Sequence, residues 1–103
     1  MKILLAVDGS DYTRRALDYV AAHEWLRRDN ELSVFTVVLP VPHRAAAMAG
    51  PDIVHAYYAD DAELALRPAR ERLAACEAQA RFDWVVGNPG EAIARKAEAD
   101  GVD

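Results

Sequence analysis

Lys2-Ile3-Leu4-Leu5-Ala6-Val7-Asp8-Gly9-Ser10 decides how the rest of the chain is read. Ile3 to Val7 is an unbroken apolar run, too short for a helix and apolar on both faces. Such a run reads as a strand in the middle of a parallel sheet, where neither face meets water. A secretory leader would need a longer apolar region and a cleavage site, so this is not one. Asp8 closes the run and Gly9 serves a turn. Ser10 or Asp11 then caps the following helix by accepting bonds from its first free N–H groups.

Working outward, Ala16, Leu17, Val20, Ala21 and Trp25 recur at helical spacing, and Asp29-Asn30 breaks that helix. Leu32 to Leu39, rich in β-branched and aromatic residues, is a second strand, ended by Pro40 and Pro42. Val41 to about Asp61 contains Gly50-Pro51 and reads as a long loop entering a helix. From about Asp61 to Arg81, Leu66, Ala69, Leu73, Cys76 and Ala80 return at steps of three and four, with Pro68 expected to kink or divide the helix. Phe82 to Val86 is a third strand. Gly87-Asn88-Pro89-Gly90 is a turn, Pro89 suits the first turn of a last helix, and Gly101 terminates it. Val102-Asp103 reads as the approach to another strand. The order β-α-β-α-β-α implies right-handed crossovers and an open parallel sheet with flanking helices, one domain over residues 1–103.

Composition narrows the function classes. With 17 acidic and 12 basic side chains the net charge is -5, and no basic cluster offers a face to nucleic acid. No stretch approaches the ~20 apolar residues of a membrane span. A single cysteine, Cys76, excludes an intrachain disulfide and fits a reducing cytoplasm.

In an open parallel sheet, ligands bind outside the carboxyl ends of the strands where strand order reverses. Asp8, Gly9 and Ser10 stand at the end of the first strand, and Val37 to Pro40 at that of the second. Asp8 either accepts hydrogen bonds from a ribose or helps hold a metal-bound phosphate, or it is a turn and capping residue. His23, His43 and His55 do not cluster with Cys76, so no metal site is expected. Cys76 belongs to the apolar stripe. Trp25, Trp84, Tyr57 and Tyr58 read as packing residues. A hydrolytic triad from Ser10 or Ser33 lacks a nucleophile elbow, and no catalytic residue is assigned. A response-regulator receiver needs a phosphoacceptor aspartate at the end of its third strand, where this chain has Gly87.

Lys-Ile-Leu-Leu-Ala-Val-Asp-Gly-Ser with Thr13 and Ala16-Leu17 resembles the opening motif of the universal stress protein family. Phe35-Thr36-Val37-Val38 resembles the end of that family's second strand, although Thr36 stands where the family often has His. Val86-Gly87-Asn88-Pro89 with Ile93, then Ala99 to Asp103, resembles its third strand and the helix after it. The resemblance implies a Rossmann-like sheet of the adenine nucleotide alpha hydrolase type, here without the expected fourth and fifth strands. It implies an adenine pocket in which Ala6 and Asp8 lie beside base and ribose, and the Val37 backbone reads the adenine edge. It further implies ATP, with or without magnesium, at most slow ATP hydrolysis, a homodimer and a role in stress response. The family's phosphate motif, Gly-x2-Gly-x9-Gly-Ser/Thr after the fourth strand, is absent, so ATP binding by this chain is expected to be weak or nil. The alternative within the family is a dimeric scaffold that binds no nucleotide.

Overall fold

The computed structural model describes residues 1–28 and 30–102. Its order is β1 (Lys2–Ala6), α1 (Asp11–Ala22), α2 (Glu24–Arg28), β2 (Glu31–Val38), α3 (His43–Ala49), α4 (Pro51–Ala75), β3 (Ala80–Val86) and α5 (Pro89–Asp100). The three strands are parallel, in the order β1-β2-β3, with helices on both faces. This is the open α/β sheet that the strand–helix alternation predicts.

β2 is buried because it has a neighbour on each side and helices above and below. Leu32, Val34, Phe35, Thr36 and Val38 are all buried. Its alternation divides the core. Leu32 and Val34 join Val7, Leu17, Val20, Leu66, Ala69 and Leu73 in one cluster, so α1 and α4 share that face. Phe35 and Val37, of the opposite parity, belong to the other face, where α5 packs on β2 and β1. The strands step outward from β1 to β3, and α5 then carries the chain back toward β1. That return lays α5 on the sheet face opposite α1 and α4, beside the carboxyl end of β1.

Several boundaries differ from expectation. Residues 41–61 are mostly helical: α3 and α4 are separated only at Gly50, whose φ of 91° and ψ of 158° stop one helix before Pro51 opens the next. Tyr58 Oη accepts from Val41 N at 2.9 Å and ties this region to the end of β2. Glycine and proline here mark a joint between helices, and the alanines on either side are good helix formers. Pro68 does not divide α4. The carbonyl it leaves without an amide partner belongs to Leu64, which is exposed, so water can satisfy it.

α4 ends at Ala75, ahead of the expected Arg81. Glu77 takes a left-handed φ of 58°, and Ala78 N donates to Leu73 O at 2.9 Å. The first helix breaks early, at His23, which has φ -116° and ψ 95°. The expected break at Asp29 and the approach at Asp103 lie outside the described residues. Asn30 closes α2 by donating to the Trp25 and Leu26 carbonyls. Trp25 itself is 57% exposed and Tyr57 53%, against the expectation that both pack. β1 is an edge strand in this chain, with Ile3, Leu4 and Leu5 only half-buried.

Candidate functional site

The turn after β1 is built around one carboxylate. Gly9, at φ 80°, reverses the chain so that Ser10 N donates to Asp8 Oδ1 at 2.9 Å. Thr13, buried in the first turn of α1, donates its hydroxyl to the same oxygen at 2.8 Å. That hydroxyl also accepts from Asp8 N at 3.0 Å. Ser10 is the N-cap, its Oγ accepting from Thr13 N at 3.4 Å. Capping therefore falls to Ser10, and Asp8 is left facing the sheet end. The bonds from the Ser10 side chain, the Ser10 amide and the Thr13 hydroxyl hold the Asp8 carboxyl below its ordinary pKa.

Asp8 lies on the wall of a cavity of about 450 Å³ at the carboxyl ends of β1 and β2. Ala6, Val7, Phe35, Val37, Pro89 and Ile93 make its apolar surfaces, and Ser10, Tyr12, Thr13 and Ala16 complete it. Among these lining residues Asp8 is the only acidic or basic one. Phe35 is backed by Lys96, whose ammonium lies 5.8 Å from the ring centroid and bridges Asp83 and Asp100. Burial acts to lower the Lys96 pKa, but the bonds to Asp100 and Asp83 outweigh it, so the ammonium stays charged and its pKa is raised.

Val37 contributes its backbone. Val7 N donates to Phe35 O, and Gly87 N donates to Val38 O. In a parallel ladder the peptide groups of successive residues turn to opposite neighbours, so Val37 aims its N–H and C=O toward the β1 side. The β1–β2 register ends at Ala6↔Phe35, with Val7 N the last donor. Among the described residues, no backbone group of β1 or its turn bonds to Val37.

The structure thus brings together Ala6, Asp8 and Val37, the three residues singled out in the sequence. It adds Thr13, Tyr12, Phe35, Pro89 and Ile93. Thr13 was legible as the residue three after a serine cap, and Phe35 as two before Val37 on the same strand face. Nothing in the sequence pointed to Tyr12. Gly87 and Asn88 stand apart from this cavity, in a separate hollow with Glu91 and Lys96. Asn88 caps α5, its side chain accepting from Glu91 N, and Gly101 ends that helix at φ 63°. His23 stacks on Tyr19, and Cys76 caps α4 while packing against the core. No three His, Cys, Asp or Glu side chains come together among the described residues. No described helix is long and apolar enough to cross a membrane.

The whole chain, residues 1–103, matches the profile of the Universal stress protein family. The chain belongs to that family. No functionally curated protein matches it. Solved structures of similar fold include a universal stress protein in complex with cAMP, at 24% identity and a TM-score of 0.65, aligned over 100% of this chain and 72% of the other. A universal stress protein family member from Arabidopsis thaliana with AMP bound is 13% identical, with a TM-score of 0.71 and coverage of 100% and 72%. Another, from Burkholderia pseudomallei, is 22% identical, with a TM-score of 0.71 and coverage of 98% and 75%.

Proposed function

We propose that this chain binds the adenosine moiety of an adenine nucleotide in the cavity at the ends of β1 and β2. The observation that carries the reading is the pairing of an anchored Asp8 carboxylate with an open Val37 peptide across an apolar cavity of about 450 Å³. A flat heterocycle needs apolar faces and a few directed groups at its edge. Val37 supplies the edge contacts. Ala6, with its small side chain, lets the base lie close to β1. Asp8, held ionised, accepts from the ribose hydroxyls. The cAMP and AMP complexes of two proteins with this fold support adenosine as the shared element.

Phosphate is treated differently. The lining offers no cationic side chain, and its one charge is negative. ATP therefore gains little over adenosine from this cavity, with or without magnesium. Asp8 is also a poor general base at neutral pH because its pKa is lowered. The role is ligand binding in a stress-response protein, with hydrolysis at most slow. Titration calorimetry with adenosine, AMP and ATP tests it: adenosine and AMP bind with similar affinity and ATP no tighter. Absence of adenosine binding at millimolar concentration overturns the proposal, and much tighter ATP binding overturns the phosphate argument.

A further inference from the structure

α5 separates two hollows. Pro89 and Ile93, one turn apart, line the cavity beside Asp8, while Glu91, Arg95 and Lys96 line a second hollow of about 400 Å³ on the other flank. The two share only Phe35 among their lining residues. The second hollow exists because α5 packs on β2 and β1 and leaves β3 largely uncovered on that face. The register Val37↔Val85 turns Val85 to the same side as Val37. Val85 and Val86, each 38% exposed, make an apolar floor with the buried Phe35.

The charges around this floor are unevenly used. Lys96 is committed, its ammonium bridging Asp83 at 3.3 Å and Asp100 at 3.2 Å. Glu91 and Arg95 are exposed and stand four residues apart on α5, the spacing at which such a pair closes on itself. They form no ion pair with each other or, among the described residues, with any other side chain. One hollow thus holds a free carboxylate, a free guanidinium and an uncovered apolar floor. Asn88 adds an amide: its Oδ1 accepts from Glu91 N, which leaves Nδ2 as a donor without a partner among the described residues.

We propose that this hollow binds a small zwitterion with an apolar side group, the chemistry of a free aliphatic α-amino acid. The ligand ammonium pairs with Glu91 and its carboxylate with Arg95, in the bidentate contact that a guanidinium is shaped to make. The side group covers Val85 and Val86. A plain anion would meet the Glu91 carboxylate and a plain cation the Arg95 guanidinium, so the two free charges select a ligand that carries both signs. The charged rim is open to solvent, so binding is weak, in the millimolar range. The site does not rest on the adenosine reading, since none of its charged residues lines the cavity beside Asp8.

Titrating L-leucine into the nitrogen-15-labelled full chain, followed by backbone amides, reads the binding. The expected result is saturable shifts at Val85, Val86, Glu91 and Arg95 at tens of millimolar. N-acetyl-leucine lacks the ammonium, leucinamide lacks the carboxylate and glycine lacks the side group. Each binds about fivefold more weakly or worse. Arg95→Gln and Glu91→Gln each raise the leucine dissociation constant about fivefold, a charge-assisted bond discounted for its exposure. Both positions are on the surface, and circular dichroism verifies that each variant keeps its helices. No saturable shift with leucine, a derivative that binds as tightly as leucine, or a variant that binds it unchanged each overturns the proposal.

Discussion

Thr13 and Asp8 hold each other twice: the Thr13 hydroxyl donates to Asp8 Oδ1 at 2.8 Å and accepts from Asp8 N at 3.0 Å. A backbone amide and a side-chain carboxylate of one residue are thus fixed by a single buried hydroxyl on the next helix. The carboxylate is oriented before any ligand arrives, and α1 is locked to the end of β1.

Thr13→Val keeps the shape and removes both bonds. Losing two bonds at the exposed Asp8, where water can replace part of them, should destabilise the fold by about 1–2 kcal/mol. The Asp8 pKa should rise toward its ordinary value. Urea denaturation measures the first and carboxyl-carbon NMR titration the second; an unchanged Asp8 titration would show that Ser10 alone sets it.

Asp8→Ala separates the two roles of the carboxylate. Loss of a charged acceptor for a ribose hydroxyl should weaken adenosine binding by about 1.5–3 kcal/mol. Loss of the two bonds it accepts, from Ser10 N and the Thr13 hydroxyl, should lower stability by about 1–3 kcal/mol. Calorimetric affinity and the urea midpoint are compared on the same variant. A lowered midpoint with unchanged affinity would make Asp8 a structural residue only.

The pH dependence has a fixed sign. The folded-state pKa of Asp8 is depressed, so the stability from its ionised form is fully present above the unfolded-state value. It is lost as pH falls through the lower, folded-state value. Adenosine binding should therefore persist through the ordinary aspartate range and fail only below it. Calorimetry across that range checks this, and a loss of affinity centred at the ordinary value would contradict it.

Pro68 sits inside α4 without breaking it, at an exposed position. Restoring the amide with Pro68→Ala should stabilise the helix, by up to about 3 kcal/mol on propensity. The gain is reduced by up to about 1 kcal/mol because the unfolded chain also becomes freer. An unchanged or lowered urea midpoint would show that Pro68 contributes contacts of its own.

What was legible in the sequence follows from which signals are local. Ile3 to Val7 and Leu32 to Leu39 announced strands because apolar runs of that length have few alternatives, and Asp8-Gly9-Ser10 announced a turn by residue type. The site residues on β1 and β2 could be chosen because sheet ends are selected by topology. Residues 41–61 differ from the expected loop because Gly50-Pro51 is the same dipeptide whether it joins two helices or sits in a loop. The left-handed Glu77 gave no warning, since glycine is the usual marker of such an ending. Trp25 lay on the expected stripe, but the break at His23 rotates α2 out of phase with α1.

The outer edge of β1 gives a further prediction. Ile3, Leu5 and Val7 turn their amides to β2, and the ladder's alternation turns Leu4 N–H away from it. In the 103-residue chain Leu4 should exchange its amide proton much faster than Ile3 and Leu5. α5 leads back toward this edge. Equal protection of Leu4 in a monodisperse monomer would contradict the assignment of β1 as an edge.

The central claim is that adenosine occupies the cavity between Asp8 and Val37. Titrating adenosine into nitrogen-15-labelled protein while following backbone amides tests it most directly. The account predicts saturable shifts at Val37, Asp8 and Ala6, with residues of α3 and the amino-terminal half of α4 unmoved. Shifts confined to those helices, or none that saturate at millimolar adenosine, would contradict it.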